Sequence, residues 1–259
     1  MKKICVITGA SSGIGREFFD RLIKDAELKF DEYWVIARSA DKLEKMSELT
    51  DIPVRPLPLD LSKRESFDEY RRALDESGCT VGLLVNCAGF GKFDSTMKVG
   101  LETSLNMIDL NVDATVALNM ISCDYMQNGS GIINIASVAA YQPIPYINVY
   151  GSTKAFVLNF TRALAMELKP KGIHVMAVCP FWTKTEFFGR AVNKDEDAVV
   201  KKYVAMYEPR QIVDRALSDY KKGKLVSLFG FMTKLQLFAV KLAPVGMTMK
   251  TWMRQQKLK

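Results

Sequence analysis

The 259 residues are 48% hydrophobic and 25% charged, proportions of a soluble globular chain that exclude disordered and collagen-like classes. The net charge of +7 is unevenly placed: nine of the 36 Lys and Arg follow Asp219, the last acid, leaving 27 bases against 29 acids before them. The basicity therefore belongs to a tail and not to the fold, and it gives no nucleic-acid footprint.

The chain opens on Lys2-Lys3 and the apolar run Ile4-Cys5-Val6-Ile7, too short for the roughly 7–15-residue core of a signal peptide. It reads as the first of seven strands, at 3–8, 32–37, 53–58, 81–85, 131–136, 172–179 and 224–228. Helical patterns fill the gaps over 13–25, 40–49, 62–77, 99–127, 148–169 and about 208–222. Such alternation predicts a single α/β domain, a doubly wound parallel sheet with helices on both faces. Pro53, Pro56 and Pro58 mark the third run. Proline cannot donate to a ladder, so this strand belongs at an edge, its place in the order 3-2-1-4-5-6-7.

The first strand runs into Thr8-Gly9-Ala10-Ser11-Ser12-Gly13-Ile14-Gly15 and a helix. Glycine at 9 permits a tight turn, and glycines at 13 and 15 let backbone approach a pyrophosphate set on the helix N-terminus. This is the context a Rossmann dinucleotide-binding loop requires, and it makes Gly9, Ser11, Ser12, Gly13, Ile14 and Gly15 candidate cofactor contacts. After the second strand, where an NAD binder presents an acid to the ribose 2′-hydroxyl, stands Arg38. Its planar fork suits a 2′-phosphate, hence NADP(H); the alternative is a solvated surface arginine. Asp41 reads as an N-cap or first-turn acid.

Further along come Asp60-Leu61 after the third strand, Asn86-Cys87-Ala88-Gly89 after the fourth, Asn111 in the next helix, Ser137 after the fifth strand, and Tyr150-Gly-Ser-Thr-Lys154. Taken in order, these motifs resemble the short-chain dehydrogenase/reductase family from residue 3 to about residue 190. The resemblance implies a nicotinamide-dependent oxidoreductase interconverting a carbonyl and a secondary alcohol. It places Asp60 and Leu61 at the adenine, and Asn86, Ala88 and Gly89 along the adenosine and its ribose. It makes Asn111 the support of a proton-relaying water, and sets Pro180, Thr183 and Thr185 near the carboxamide.

The residue types fit that chemistry. Moving a hydride to a carbonyl carbon requires a proton donor and a stabiliser for the developing oxyanion. Tyr150 supplies a phenol. Lys154, one helical turn later, is expected to lower the phenol pKa and to hold the nicotinamide ribose. Neither Tyr141 nor Tyr146 has a cation at that spacing. Ser137 is expected to donate to the substrate oxygen, with a cap or turn role as its alternative.

Departures from the family pattern are Cys87, where a second Asn is common, and Phe181, where Pro-Gly is common after the sixth strand. The stretch 184–207 corresponds to the family's substrate lid, and Phe187, Phe188 and Tyr203 either face an apolar substrate or pack on the core. The domain thus spans 1–229, with residues 230–259 as a basic amphipathic extension. Phe231, Leu235, Phe238 and Leu242 recur there at helical spacing, with Lys234 and Lys241 dividing the run below the ~18 apolar residues of a membrane span. Three readings of the tail stand side by side: a cap on the substrate pocket, a contact with a second subunit, and a peripheral membrane contact.

The five cysteines show no metal or disulfide spacing and His174 is the single histidine, so no metal site is expected and reduced thiols indicate the cytoplasm. The combined expectation is an NADP(H)-dependent oxidoreductase acting on a small apolar molecule, steroid- or lipid-like. It is expected to form a homodimer or homotetramer through the helices near 99–127 and 148–169. The rival is a cofactor-binding regulatory protein or membrane-peripheral scaffold on the same fold.

Overall fold

Along each strand, successive side chains are dealt to opposite faces of the sheet. In β1 (Lys3–Thr8), Cys5 and Ile7 join one apolar cluster while Ile4 and Val6 join the other. The computed structural model describes residues 1–191 and 198–258. The remaining strands are β2 (Glu32–Ile36), β3 (Val54–Leu57), β4 (Thr80–Asn86), β5 (Gly131–Ile135), β6 (His174–Val178) and β7 (Val226–Ser227). All pairings are parallel, in the order β3-β2-β1-β4-β5-β6-β7. As the prolines require, β3 is an edge, with Pro56 opposite Val35. The far edge, β7, is two residues long.

Helices Gly13–Leu22 and Pro209–Lys221 cover the first face through Phe18, Phe19, Ile212 and Val213. Helices Glu65–Ser77 and Ala114–Cys123 cover the second through Tyr70, Leu74 and Leu118. The helix expected over 99–127 is broken: Leu101–Ile108 passes through a π-helical turn, Asp109–Asp113, into Ala114–Cys123. A π turn bulges one residue out of the α register. Here it accompanies the complete burial of Asn111.

Parallel strands leave their carboxyl ends on one side, and the crevice outside those ends is where such sheets bind ligands. The tail lies over that crevice as helices Phe231–Leu242 and Val245–Gln256. Trp252 is buried and donates its indole N–H to the Pro145 carbonyl at 2.9 Å. The Gln256 carboxamide accepts from the Lys201 and Lys202 amides at 2.8 and 2.9 Å and donates to the Lys202 carbonyl at 3.0 Å. Of the three readings of the tail, the cap on the pocket is the one these contacts build. Residues 192–197 of the lid region lie outside the described residues.

Candidate active site

Thr8, the last residue of β1, accepts from the Cys87 and Ala88 amides at 3.0 and 2.9 Å, binding the Gly-rich loop to the end of β4. At Gly9 and Gly15 the loop is too tight for a side chain. A Cβ on Gly15 would stand 2.4 Å from the Gly9 carbonyl oxygen, and one on Gly9 would stand 2.9 Å from the Ala88 amide nitrogen, with Gly9 at φ 64°. Backbone therefore forms the wall here, with the N-terminus of Gly13–Leu22 behind it. No acid lies in that helix's first turn, and the Ser12 hydroxyl makes no cap bond. An anion at this helix end meets N–H groups and no acid from the first turn.

A cavity of about 690 Å³ runs from this loop across the strand ends. Arg38 lines it beyond the end of β2, joined by Ser39 and by Lys42, a second cation four residues on that no motif marks. Gly9, Ser11, Ser12, Gly13, Ile14, Gly15, Asp60, Leu61, Ala88 and Gly89 also line it, as do Pro180, Thr183 and Thr185 on the far side.

Two candidates do not face the cavity. Asn86 is buried and donates its amide to Asn134 Oδ1 at 2.8 Å, within a polar cluster that includes Asn119. A polar group inside the sheet must find partners there, so Asn86 is spent below the cavity and Cys87 takes its place in the lining. Asn111 accepts from the Phe90 amide at 3.0 Å and donates to the Phe90 carbonyl at 2.9 Å and to Thr153 Oγ1 at 3.0 Å. Its side chain pins the loop after Gly89, which makes it a positioning residue in this arrangement.

The candidate catalytic groups meet on the cavity floor. The helix Asn148–Leu168 carries Tyr150 and, one turn on, Lys154; Ser137 faces them from the end of β5. Lys154 Nζ donates to the Ile135 carbonyl at 2.8 Å and lies 5.9 Å from the Tyr150 ring centre. The ammonium is thus beside the ring, anchored to the sheet. Burial pushes the phenol up to about 12 against the pull of the Ser137 hydroxyl. Burial likewise draws Lys154 down to about 8. Burial thus moves the phenol in the direction opposite to the lowering expected from lysine, favouring its protonated form. Ser137 also serves as a cap, accepting from the Ala139 amide at 3.1 Å. That contact uses an oxygen lone pair and leaves the hydroxyl proton to donate.

Around Tyr150 the walls become aromatic. Phe93 and Phe187 lie 5.7 and 5.4 Å from its ring centre, and Trp182 stacks on Trp252 at 6.4 Å. Phe187 and Phe188 do face the cavity, whereas Tyr203 packs edge-on against Trp182 behind it. Phe181 stands in the lining where a glycine was expected. Phe93, Trp182 and Trp252 were not singled out from sequence. They come from segments about 90 and 70 residues apart with no shared motif.

The chain matches the family model for short chain dehydrogenase over residues 3–196. It is 29% identical over 220 residues to the 17-beta-hydroxysteroid dehydrogenase type 3 of Mus musculus, covering 80% of this chain and 70% of that one. It is 31% identical over 198 residues to the very-long-chain 3-oxoacyl-CoA reductase of Rattus norvegicus, covering 70% of this chain and 59% of that one. Among solved structures, a short-chain dehydrogenase from Sphingobium yanoikuyae in complex with NADPH superposes with a TM-score of 0.78 at 28% identity, covering 95% of each chain.

Proposed function

Because the chain belongs to the short-chain dehydrogenase/reductase family, oxidoreductases of carbonyl and CH–OH groups, we propose that it is an NADP(H)-dependent enzyme interconverting a ketone and a secondary alcohol on an apolar, steroid- or lipid-like substrate. The observation that carries this reading is one cavity in which a glycine-walled anion site, a Tyr–Ser–Lys floor and an aromatic cage adjoin. Gly9 and Gly15, closed to any Cβ, fit a pyrophosphate against backbone N–H groups. Arg38 and Lys42 fit a 2′-phosphate at the adenosine end. The NADPH held by the Sphingobium protein and the substrate classes in the names of the mouse and rat relatives support the same assignment.

The chemistry the cofactor brings when bound is hydride donation to the carbonyl carbon, or its reverse. Tyr150 gives its phenol proton to the carbonyl oxygen in reduction and takes it back in oxidation. Ser137 donates a hydrogen bond to the same oxygen, stabilising the charge that develops there. With one donor on the Ile135 carbonyl, Lys154 keeps two for the nicotinamide ribose and holds a positive charge beside the phenol. The cage of Phe93, Phe187, Trp182 and Trp252 excludes water and accepts an apolar skeleton.

The same reading makes the chain a homo-oligomer. Helices Leu101–Ile108, Ala114–Cys123 and Asn148–Leu168 expose Leu101, Leu105, Met120, Phe156 and Met166, an apolar surface suited to a second copy. All five cysteines are free thiols, as a reducing cytoplasm would keep them. The decisive experiment follows nicotinamide absorbance with NADPH and with NADH against ketones graded from acetone to sterol and long-chain ketones. Expected is NADPH oxidation that rises with apolar bulk. No turnover on any carbonyl would reduce the protein to a cofactor-binding regulator.

A further inference from the structure

A helix packed on a domain ordinarily turns its apolar stripe inward. The helix Phe231–Leu242 does the opposite. Its inward side presents Thr233, which is fully buried, and Gln236 and Val240, which line the cavity. Its outward side presents Phe231, Phe238 and Leu242, which are 77%, 63% and 69% exposed, with Leu235 between them. Val245 and Met247 of the next helix are also exposed, Met247 while lining the cavity, and Lys234 and Lys241 flank the stripe, exposed, along one border. No acid occurs anywhere after Asp219, and the short helix Val138–Tyr141 against which this one packs is also free of acids.

We propose that this face docks the chain peripherally on an anionic lipid surface, with the phenylalanines and leucines entering the interface and Lys234 and Lys241 at headgroup level. The charge pattern selects the occupant. A two-fold contact with a second copy would bring two acid-free lysine borders together, whereas anionic headgroups match the cations and acyl chains match the stripe. No helix among the described residues is long and apolar enough to cross a membrane, so the contact lies on the surface.

The position of this face has a consequence for the cavity. Met232, Leu235 and Ala239 are exposed and also line the cavity, so they form its lip. Docking sets the cavity mouth against the lipid, where an apolar substrate is concentrated. That consequence rests on the proposed substrate class; the docking itself does not.

The test is cosedimentation of the full chain with phosphatidylcholine vesicles, with and without phosphatidylglycerol, at low and high salt. Expected is binding to the anionic vesicles that weakens at high salt. The triple variant Phe231→Ser, Phe238→Ser, Leu242→Ser is expected to bind about a hundredfold more weakly. Lys234→Gln with Lys241→Gln is expected to lose about fivefold per lysine on anionic vesicles only. None of these five side chains lines the cavity, so circular dichroism and NADPH affinity serve as controls that both variants fold. The proposal is overturned if the wild type stays in the supernatant with anionic vesicles, or if the triple variant binds as well as the wild type. It is also overturned if light scattering shows the triple variant losing a subunit, because a second copy would then cover the face. None of these readings involves turnover, so they stand apart from the outcome of the ketone screen.

Discussion

The two ends of the cavity are built by opposite means. At the glycine-loop end the wall is backbone and short side chains from runs contiguous in sequence, Gly9 to Gly15 and Cys87 to Gly89, brought together by the two bonds to Thr8 Oγ1. At the other end it is aromatic surface gathered from Phe93, Tyr150, Trp182, Phe187 and Trp252, residues that share no local pattern. Holding a pyrophosphate requires N–H groups at set spacings, and only a short tight turn provides them. Accepting an apolar skeleton requires only volume and low polarity, which any segment can supply.

This contrast can be broken or sharpened experimentally. The largest effect is expected at the floor where the two ends meet. Tyr150→Phe removes the proton donor and no phosphate contact, so kcat is expected to fall by ~10²–10⁴ while NADPH affinity holds. Steady-state kinetics with fluorescence titration of NADPH check this, and an unchanged rate at neutral pH would sink the assignment. At the polar end, Arg38→Ala is expected to weaken NADPH by about ten- to a hundredfold, the loss of one charge-assisted contact, and to leave NADH nearly unchanged. Equal losses for both cofactors would remove Arg38 from the 2′-phosphate.

At the apolar end, Trp252→Ala is expected to raise KM for a bulky ketone roughly tenfold with little change in NADPH Kd, because it strips one stacked wall from the substrate half alone. A parallel loss of NADPH affinity would mean that the two ends are not independent. The smallest expected effect is on pH. Lys154, drawn down to about 8 by burial, loses its charge as pH rises through that value, whereas Tyr150, pushed up to about 12, stays protonated. The rate of reduction is therefore expected to decline several-fold on the alkaline side near pH 8. Lys154→Arg, which keeps its charge, is expected to abolish that break in the pH profile.

Much of the polar end and of the sheet is legible in the residues alone, since both rest on short-range sterics. Glycine is required where a Cβ would strike the Gly9 carbonyl, proline bars β3 from the middle of the sheet, and alternating apolar residues divide β1 between two faces. The chain-order motifs likewise put Ser137, Tyr150 and Lys154 at strand ends and on a helix facing one crevice.

Long-range packing settled the rest. No local pattern says that Asn86 turns to Asn134 and Asn111 to Phe90; each does so because an amide buried in the interior takes the partners the neighbouring strand and loop offer. The tail's helical period is equally compatible with a cap, a subunit contact or a lipid surface, because periodicity defines a face without naming what covers it. Burial of Trp252 and the three hydrogen bonds of Gln256 decided that this tail closes the pocket. The neighbouring helix Phe231–Leu242 sets Thr233, Gln236 and Val240 toward the crevice and leaves Phe231, Phe238 and Leu242 exposed.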